Sequence, residues 1–346
     1  MKALPQFETY EDEKKKMGSF SWNSSDLAIE DLYMEAEDHY FEYEYDKSKK
    51  LLNKIILKDP LYSNAYLLLS TLSSIENDFE QAEKVLKKGL NIWESSIPED
   101  FDGEIPWGFL ENRPYLTLLF EMANLTDKAG KPEEAITYAE KVLTYNPDDN
   151  QGVRWVIGNL FLKANKYGQA EKYLKKTAGE YPPNRYSYAL LLMLNQKRWD
   201  AVSQMRMAFV ENIYIYEHLS FKAPIVPYDI YETSNLNGIE EALHYLDTMG
   251  HFWMQKQEEL FFMEQIIKHP VVIIELNNIF NLKHELNDVV FDFPYEDDFS
   301  DDPDDIDSNL MNEAREEIFK EIDAIKKSID TTSSKKILKD LDSYLN

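Results

Sequence analysis

From Leu27 onward the apolar positions recur at three- and four-residue intervals, the spacing of amphipathic helices, and small residues return among them at a nearly fixed distance. Ser48 to Ala82 is 34 residues, Ala135 to Ala170 is 35, and Ala170 to Ala201 is 31. A small side chain lets two helices cross closely, and a large one beside it fills the gap. Five windows share that arrangement. One starts at Ile29, with Ala36, Ser48 and Leu52 in place and Pro60 at its end. A second starts at Ser63, with Tyr66, Leu69, Ser70, Ala82 and Leu86, and Gly89 near the end of its second helix. A third, near Leu116, carries Leu119, Met122, Ala123 and Ala135 and closes at Asn146-Pro147. A fourth starts at Gln151, with Ile157, Gly158, Phe161, Ala170, Leu174 and Pro182. A fifth begins near Pro182 and places Tyr188, Ala189, Leu192, Ala201, Met205 and Ala208. The pattern predicts helix-turn-helix units stacked into an all-α superhelical solenoid.

The period also marks what lies outside it. Residues 1–26 are polar and lack helical spacing, so a flexible lead-in is expected, ending at Ser25 or Asp26 as a helix cap. Residues 27–95 hold the first two repeats and 116–211 the last three. Between them, 96–115 is an insertion with Ile97-Pro98 and Phe101–Gly108, too rich in turn residues to continue a helix, and it is expected as a loop laid across the array. Residues 212–290 read as a degenerate repeat and capping helices, extended around Pro224 and Pro227 and helical from about Asn237 to Lys268 and from Val271 to Leu286. Residues 291–308 read as an acidic linker, with nine acidic side chains in the sixteen from Asp292 to Asp307. In 309–346, Ile318, Ile322 and Ile325, then Ile337, Leu341 and Leu345, give two short helices an apolar stripe each.

Composition narrows the function. With 43% hydrophobic and 13% aromatic residues in 346, the chain has ample material for a helical core. Its formal net charge of −27 repels phosphate backbones and anionic lipid, so neither nucleic acid nor a membrane is an expected partner, and a basic or neutral protein is. The Lys14–Lys16 cluster sits beside Glu11, Asp12 and Glu13 and reads as solvated. There is no cysteine, no apolar stretch of signal-peptide length and no run of about 18 apolar residues, which together lead us to expect a cytoplasmic protein. The chain also lacks the zinc-protease, phosphate-loop, dinucleotide and nucleophile-elbow motifs. His244 and His251 share a helix face, but seven residues separate them by ~10 Å, too far for one ion. The acidic run lacks the central Gly and bidentate Glu of a calcium loop. No catalytic residue, metal or cofactor is expected.

The five windows resemble the tetratricopeptide repeat (TPR). The run Ile105–Leu116 (IPWGFLENRPYL), followed by Asn146–Arg154 (NPDDNQGVR), resembles a group of bacterial TPR proteins over about residues 105–255. More distantly, Asn212–Glu217, Pro224, Pro227 and the helix after Gly238 resemble the repeat region of the suppression-of-tumorigenicity-7 family. The resemblance implies a helical repeat fold and an interaction role, with positions 2, 5, 9 and 12 of each repeat facing a groove. In the third repeat these are Thr117, Phe120, Asn124 and Asp127; in the fourth, Gly152, Trp155, Asn159 and Leu162; in the fifth, Tyr186, Leu190 and Met193. Phe120, Asn124, Trp155, Asn159 and Tyr186 are therefore the candidate partner contacts, since an Asn amide pairs with both the donor and the acceptor of a peptide bond. The same aromatics also suit packing between helices. Phe120 and Trp155 occupy slots where a carboxylate clamp needs Lys or Arg, which argues against that subtype. Glu111, Arg113 and Arg154 are candidate polar contacts, or loop braces. The expected function is a non-catalytic scaffold or adaptor. Two alternatives stand beside it: an enzyme with a small-substrate site under residues 91–115, and a regulatory protein whose C-terminal helices occupy the groove.

Overall fold

A computed structural model describes residues 4–12, 15–23, 27–221, 238–291, 306–329 and 331–345. The chain divides into two compact units, Met1–Ala164 and Asn165–Asn346.

In the first unit the expected pairs form: α1 (Leu27–Phe41) with α2 (Tyr45–Lys58), α3 (Ser63–Ile75) with α4 (Phe79–Glu94), and α5 (Arg113–Lys128) with α6 (Pro132–Tyr145), followed by α7 (Ile157–Lys163). Each second helix packs on the next first helix, α2 on α3, α4 on α5 and α6 on α7. The small residues and the large ones beside them sit where the period puts them: Ala36, Ser48, Leu52, Ala82, Leu86, Met122, Ala123 and Ala135 are all buried. The Ser48 hydroxyl donates to the Ala36 carbonyl at 2.8 Å, which fixes the first crossing. A Cβ added at Gly89 would lie 2.8 Å from Cγ of Tyr66, so that crossing needs glycine. Local chemistry ends and starts the helices: Asn77 and Gly130 turn at φ 62° and 75°, the Asp78 carboxylate caps α4 through the Gln81 N–H, and Pro stands in the first turn of α5 and α6.

The lead-in departs from expectation. Instead of a flexible tail, β1 (Gln6–Asp12) and β2 (Lys15–Ser21) pair antiparallel, with Phe7 opposite Phe20 and Asp12 opposite Lys15. The insertion supplies what the hairpin lacks alone. The Gly18 N–H donates to the Glu104 carbonyl at 2.8 Å and the Glu104 N–H to the Lys16 carbonyl at 2.9 Å, so the loop adds a short third edge. Phe20 is buried edge-on against Trp93 (5.1 Å between centroids) and beside Tyr115 (5.4 Å), while Phe7 meets Phe20 and Phe101. Phe7 lies so close over Gly18 that a Cβ there would sit 2.1 Å from its ring. The fourth window also differs, because its first helix, α7, has seven residues. Asp149 (φ 51°) and Gly152 (φ 78°) hold left-handed backbone ahead of it, and the Asp149 carboxylate accepts the N–H groups of Val153 (2.6 Å) and Arg154 (3.0 Å). Residues Val153–Trp155 consequently make a single 3-10 turn.

The second unit holds α8 (Tyr167–Thr177), α9 (Pro182–Leu194), α10 (Arg198–Glu211), α11 (Ile213–Ser220), α12 (Ile239–Met254), α13 (Gln257–Ile267), α14 (Pro270–Phe291), α15 (Ile306–Ser328) and α16 (Thr331–Leu345). The helix expected from Asn237 to Lys268 is thus two helices. They break where the Lys256 N–H turns back to the Trp253 carbonyl at 2.8 Å, without a Gly or Pro to announce it. The C-terminal helices dock within this unit: α15 packs on α14, and α16 on α10 and α13. The fully buried Arg206 guanidinium bonds both oxygens of the Glu275 carboxylate and the hydroxyls of Ser333 and Ser334, while Arg198 pairs with Asp342 at 2.7 Å. The stretch around Pro224 and Pro227 and residues 292–305 of the acidic linker lie outside the described residues.

Candidate partner-binding face

A face open to a partner lies on α5. Arg113, Thr117, Phe120 and Asn124 fall at i, i+4, i+7 and i+11, so they line one side of the helix, and all four are half-buried. Two of them, Arg113 and Thr117, are also walls of a cleft of about 400 Å³, whose other walls include Trp22, Glu30, Tyr62, Asn64 and Leu110. On its far side the Tyr62 hydroxyl donates to Glu30 Oε2 at 2.7 Å, and burial, with Glu30 next, raises the phenol's pKa. Along the row the Asn124 amide donates to Glu121 Oε2 at 3.2 Å. Burial pushes the Glu121 carboxyl up, against the opposing pull of Asn124 and Lys128. Asp127 is bound to Lys163 at 2.6 Å and is committed to that pair.

The polar candidates each make contacts within the chain. Arg113 Nε donates to the Trp107 carbonyl at 3.2 Å, and its guanidinium lies 5.1 Å from the centre of the Trp107 ring. Glu111 is exposed, and its carbonyl accepts the Trp22 indole N–H at 3.2 Å. Arg154 pairs with Asp149 at 2.9 Å and stacks 4.5 Å over Trp155. Between these residues stands Asn112, wholly buried: its Oδ1 accepts the Phe20 N–H at 2.9 Å, and its Nδ2 donates to the carbonyls of Pro106 at 2.9 Å and Gly18 at 3.2 Å. Sequence reasoning passed it over.

The five groove candidates separate. Phe120 and Asn124 stand on the open row, Trp155 is half-buried beneath Arg154, and Asn159 is only 8% exposed. Tyr186, in the second unit, is a core residue. It has no exposed surface, its hydroxyl donates to the Asn212 carbonyl at 2.6 Å, and its ring lies near those of Phe209 and Tyr245. Leu190 and Met193 are buried with it, because α12 and α13 pack on α9 and cover the side a groove would use. Glu30 and Tyr33, by contrast, occupy groove slots 2 and 5 of the first window, and the slot rule extended to that repeat finds them. His39, Glu42 and Glu44 offer three ligand atoms within 4.8 Å, but Lys47 Nζ already lies 2.7 Å from both Glu44 oxygens, and we assign no metal there.

Paired helices at this period, with small residues at each crossing and a half-exposed row on a first helix, define a TPR-type helical-repeat protein. The family described as "Transcriptional repressor TCF25" matches residues 26–340, and the chain belongs to that family. That match confirms neither of the two narrower likenesses, of the runs at 105–116 and 212–217. No curated protein matches the chain. Solved structures similar to it include a tetratricopeptide repeat protein from Parabacteroides merdae, 15% identical, covering 91% of this chain and 98% of that one at a TM-score of 0.44. PilW, a type IV pilus biogenesis factor, is 18% identical over 68% of this chain and 98% of its own, also at 0.44. YrrB, a TPR protein with an unusual peptide-binding site, is 14% identical over 53% and 89%, at 0.40. At these values none of the three bears on a site. No helix among the described residues is long and apolar enough to cross a membrane.

Proposed function

We propose that the protein is a non-catalytic scaffold or adaptor that holds an extended protein segment along Arg113, Thr117, Phe120 and Asn124. The observation that supports this is the continuity of the row with the cleft, which offers an apolar ring, an amide and a walled depression in one line. Phe120 would cover an apolar side chain, and Asn124 would exchange its bond to Glu121 for one to the ligand backbone. The net charge of −27 favours a basic or neutral segment. Membership of a family described as a transcriptional repressor suits an adaptor that brings such a segment to a repressing assembly. The enzyme reading lacks comparable support, since the insertion is packed against the hairpin.

The test is capture of partners from the native cell by wild type and by the Phe120→Ala, Asn124→Ala double variant, with matched circular dichroism. A specific partner is expected to be lost. If every partner persists, the row is not the binding face.

A further inference from the structure

A stacked array buries each first helix between two neighbours. In the first unit α3, α5 and α7 each carry the second helix of the preceding pair, α2, α4 and α6. Among the described residues α1 has no such neighbour. The side it leaves open is not the polar surface that ends a repeat array in water. Leu27, Met34 and Phe41, at i, i+7 and i+14, form one line along α1 and are 82%, 56% and 71% exposed. Ile29 and Ala36 are buried on the opposite side, where α2 packs. Asp31 and Asp38 border the apolar line on one flank and Glu30 and Glu37 on the other. Helix α1 carries no Lys or Arg at all, and Asp31, Glu35 and Asp38 have no basic partner among the described residues.

We propose that this face of α1 docks an amphipathic helix of a partner protein, one whose apolar strip is flanked by Lys and Arg, in the place of the missing preceding second helix. An i, i+7, i+14 line is one of the two positions per heptad that form the seam of a helix pair, and on α1 the residues three and four on from it are acidic. The carboxylates on both flanks give that seam one sign of charge along its whole length, so a partner helix with basic flanks meets an opposite charge at each turn. This surface shares Glu30 with the cleft beside the α5 row, but Leu27, Met34 and Phe41 are not among that cleft's walls, and either site can fail without the other.

The probe is a fluorescein-labelled 16-residue peptide with Leu on a helical seam and Lys on both flanks, titrated into the full chain by anisotropy. A second peptide has Glu in place of every Lys. The Lys peptide is expected to bind at least tenfold more tightly. Met34→Glu combined with Phe41→Glu is expected to weaken it by tenfold or more, although two added carboxylates strengthen any generic attraction for a cationic peptide. Phe261→Glu, on a residue 52% exposed in the second unit, is expected to leave it as tight or slightly tighter. If the Met34→Glu, Phe41→Glu chain holds the Lys peptide as tightly as wild type, the proposal is overturned. It falls equally if the peptide does not bind and wild type sediments as a dimer that the double variant abolishes, since a second copy would then be the occupant.

Discussion

Asn112 offers the sharpest test of how the hairpin, the insertion and α5 are joined. Replacing it with Ala removes three buried hydrogen bonds, to the Phe20 N–H and to the Pro106 and Gly18 carbonyls. At a net value of about 1 kcal/mol each the loss is about 3 kcal/mol, and the buried Phe20 N–H left without a partner adds about 1 more. The helix pairs hold themselves together through their own crossings, so the cost falls on β1 and β2. Hydrogen exchange at the Phe20 amide is expected to quicken by two to three orders of magnitude, about 1.4 kcal/mol per tenfold. Asn112→Asp keeps an acceptor for the Phe20 N–H but sets a buried carboxylate against the Pro106 and Gly18 carbonyls, so it is expected to cost at least as much as Ala. Phe20 exchange faster in both variants than in wild type is the signature. Exchange at Phe20 unchanged in the Ala variant, with an unchanged urea midpoint, would refute the reasoning.

Three further outcomes follow from the same geometry. Arg206→Ala strands the Glu275 carboxylate and two serine hydroxyls, so a loss of about 3–5 kcal/mol is expected, read by urea unfolding, whereas Arg206→Met with Glu275→Met is expected to lose much less. Tyr186→Phe removes a buried hydroxyl bond worth about 0.5–1.5 kcal/mol and is expected to leave partner capture untouched; a lost partner would return Tyr186 to the binding face. Glu121→Gln keeps an acceptor for Asn124 and removes the charge. Because burial raises the folded carboxyl above its unfolded value near 4.3, the wild type keeps that stability below about pH 4.3 and loses it as pH rises through the folded pKa. The variant's advantage in urea midpoint is therefore expected to be small at pH 4.3 and larger at pH 7, and an equal gap at both would count against burial as the cause.

The paired helices were legible because a local signal encodes them. Ala36, Ala82, Ala135, Ala170 and Ala201 mark crossings that no large side chain could occupy, and each is fully buried. The hairpin was not legible, because its edge partner is Glu104, far along the chain, and its sequence alternates too weakly to stand alone. The groove prediction failed at Tyr186 for a related reason. The slot rule assumes an open first-helix face, and α12 and α13, which lie outside the clear repeats, close it. On α5 nothing of the kind intervenes among the described residues, and Phe120 and Asn124 are half-buried.

The four residues from Glu111 to Pro114 read as a signature, and the structure gives them a mechanical meaning. Glu111 offers its carbonyl to Trp22, Asn112 clips the hairpin to the insertion, Arg113 lies over Trp107, and Pro114 stands in the first turn of α5. The joint that holds the hairpin is therefore the joint from which the proposed binding row begins. A ligand seated against Arg113 and Thr117 would favour the closed joint over the open one, and it must then protect the hairpin by the free energy of its differential binding. Slower exchange at Phe20 when a segment occupies the row, with the protection lost in Asn112→Ala, is the coupling this arrangement requires.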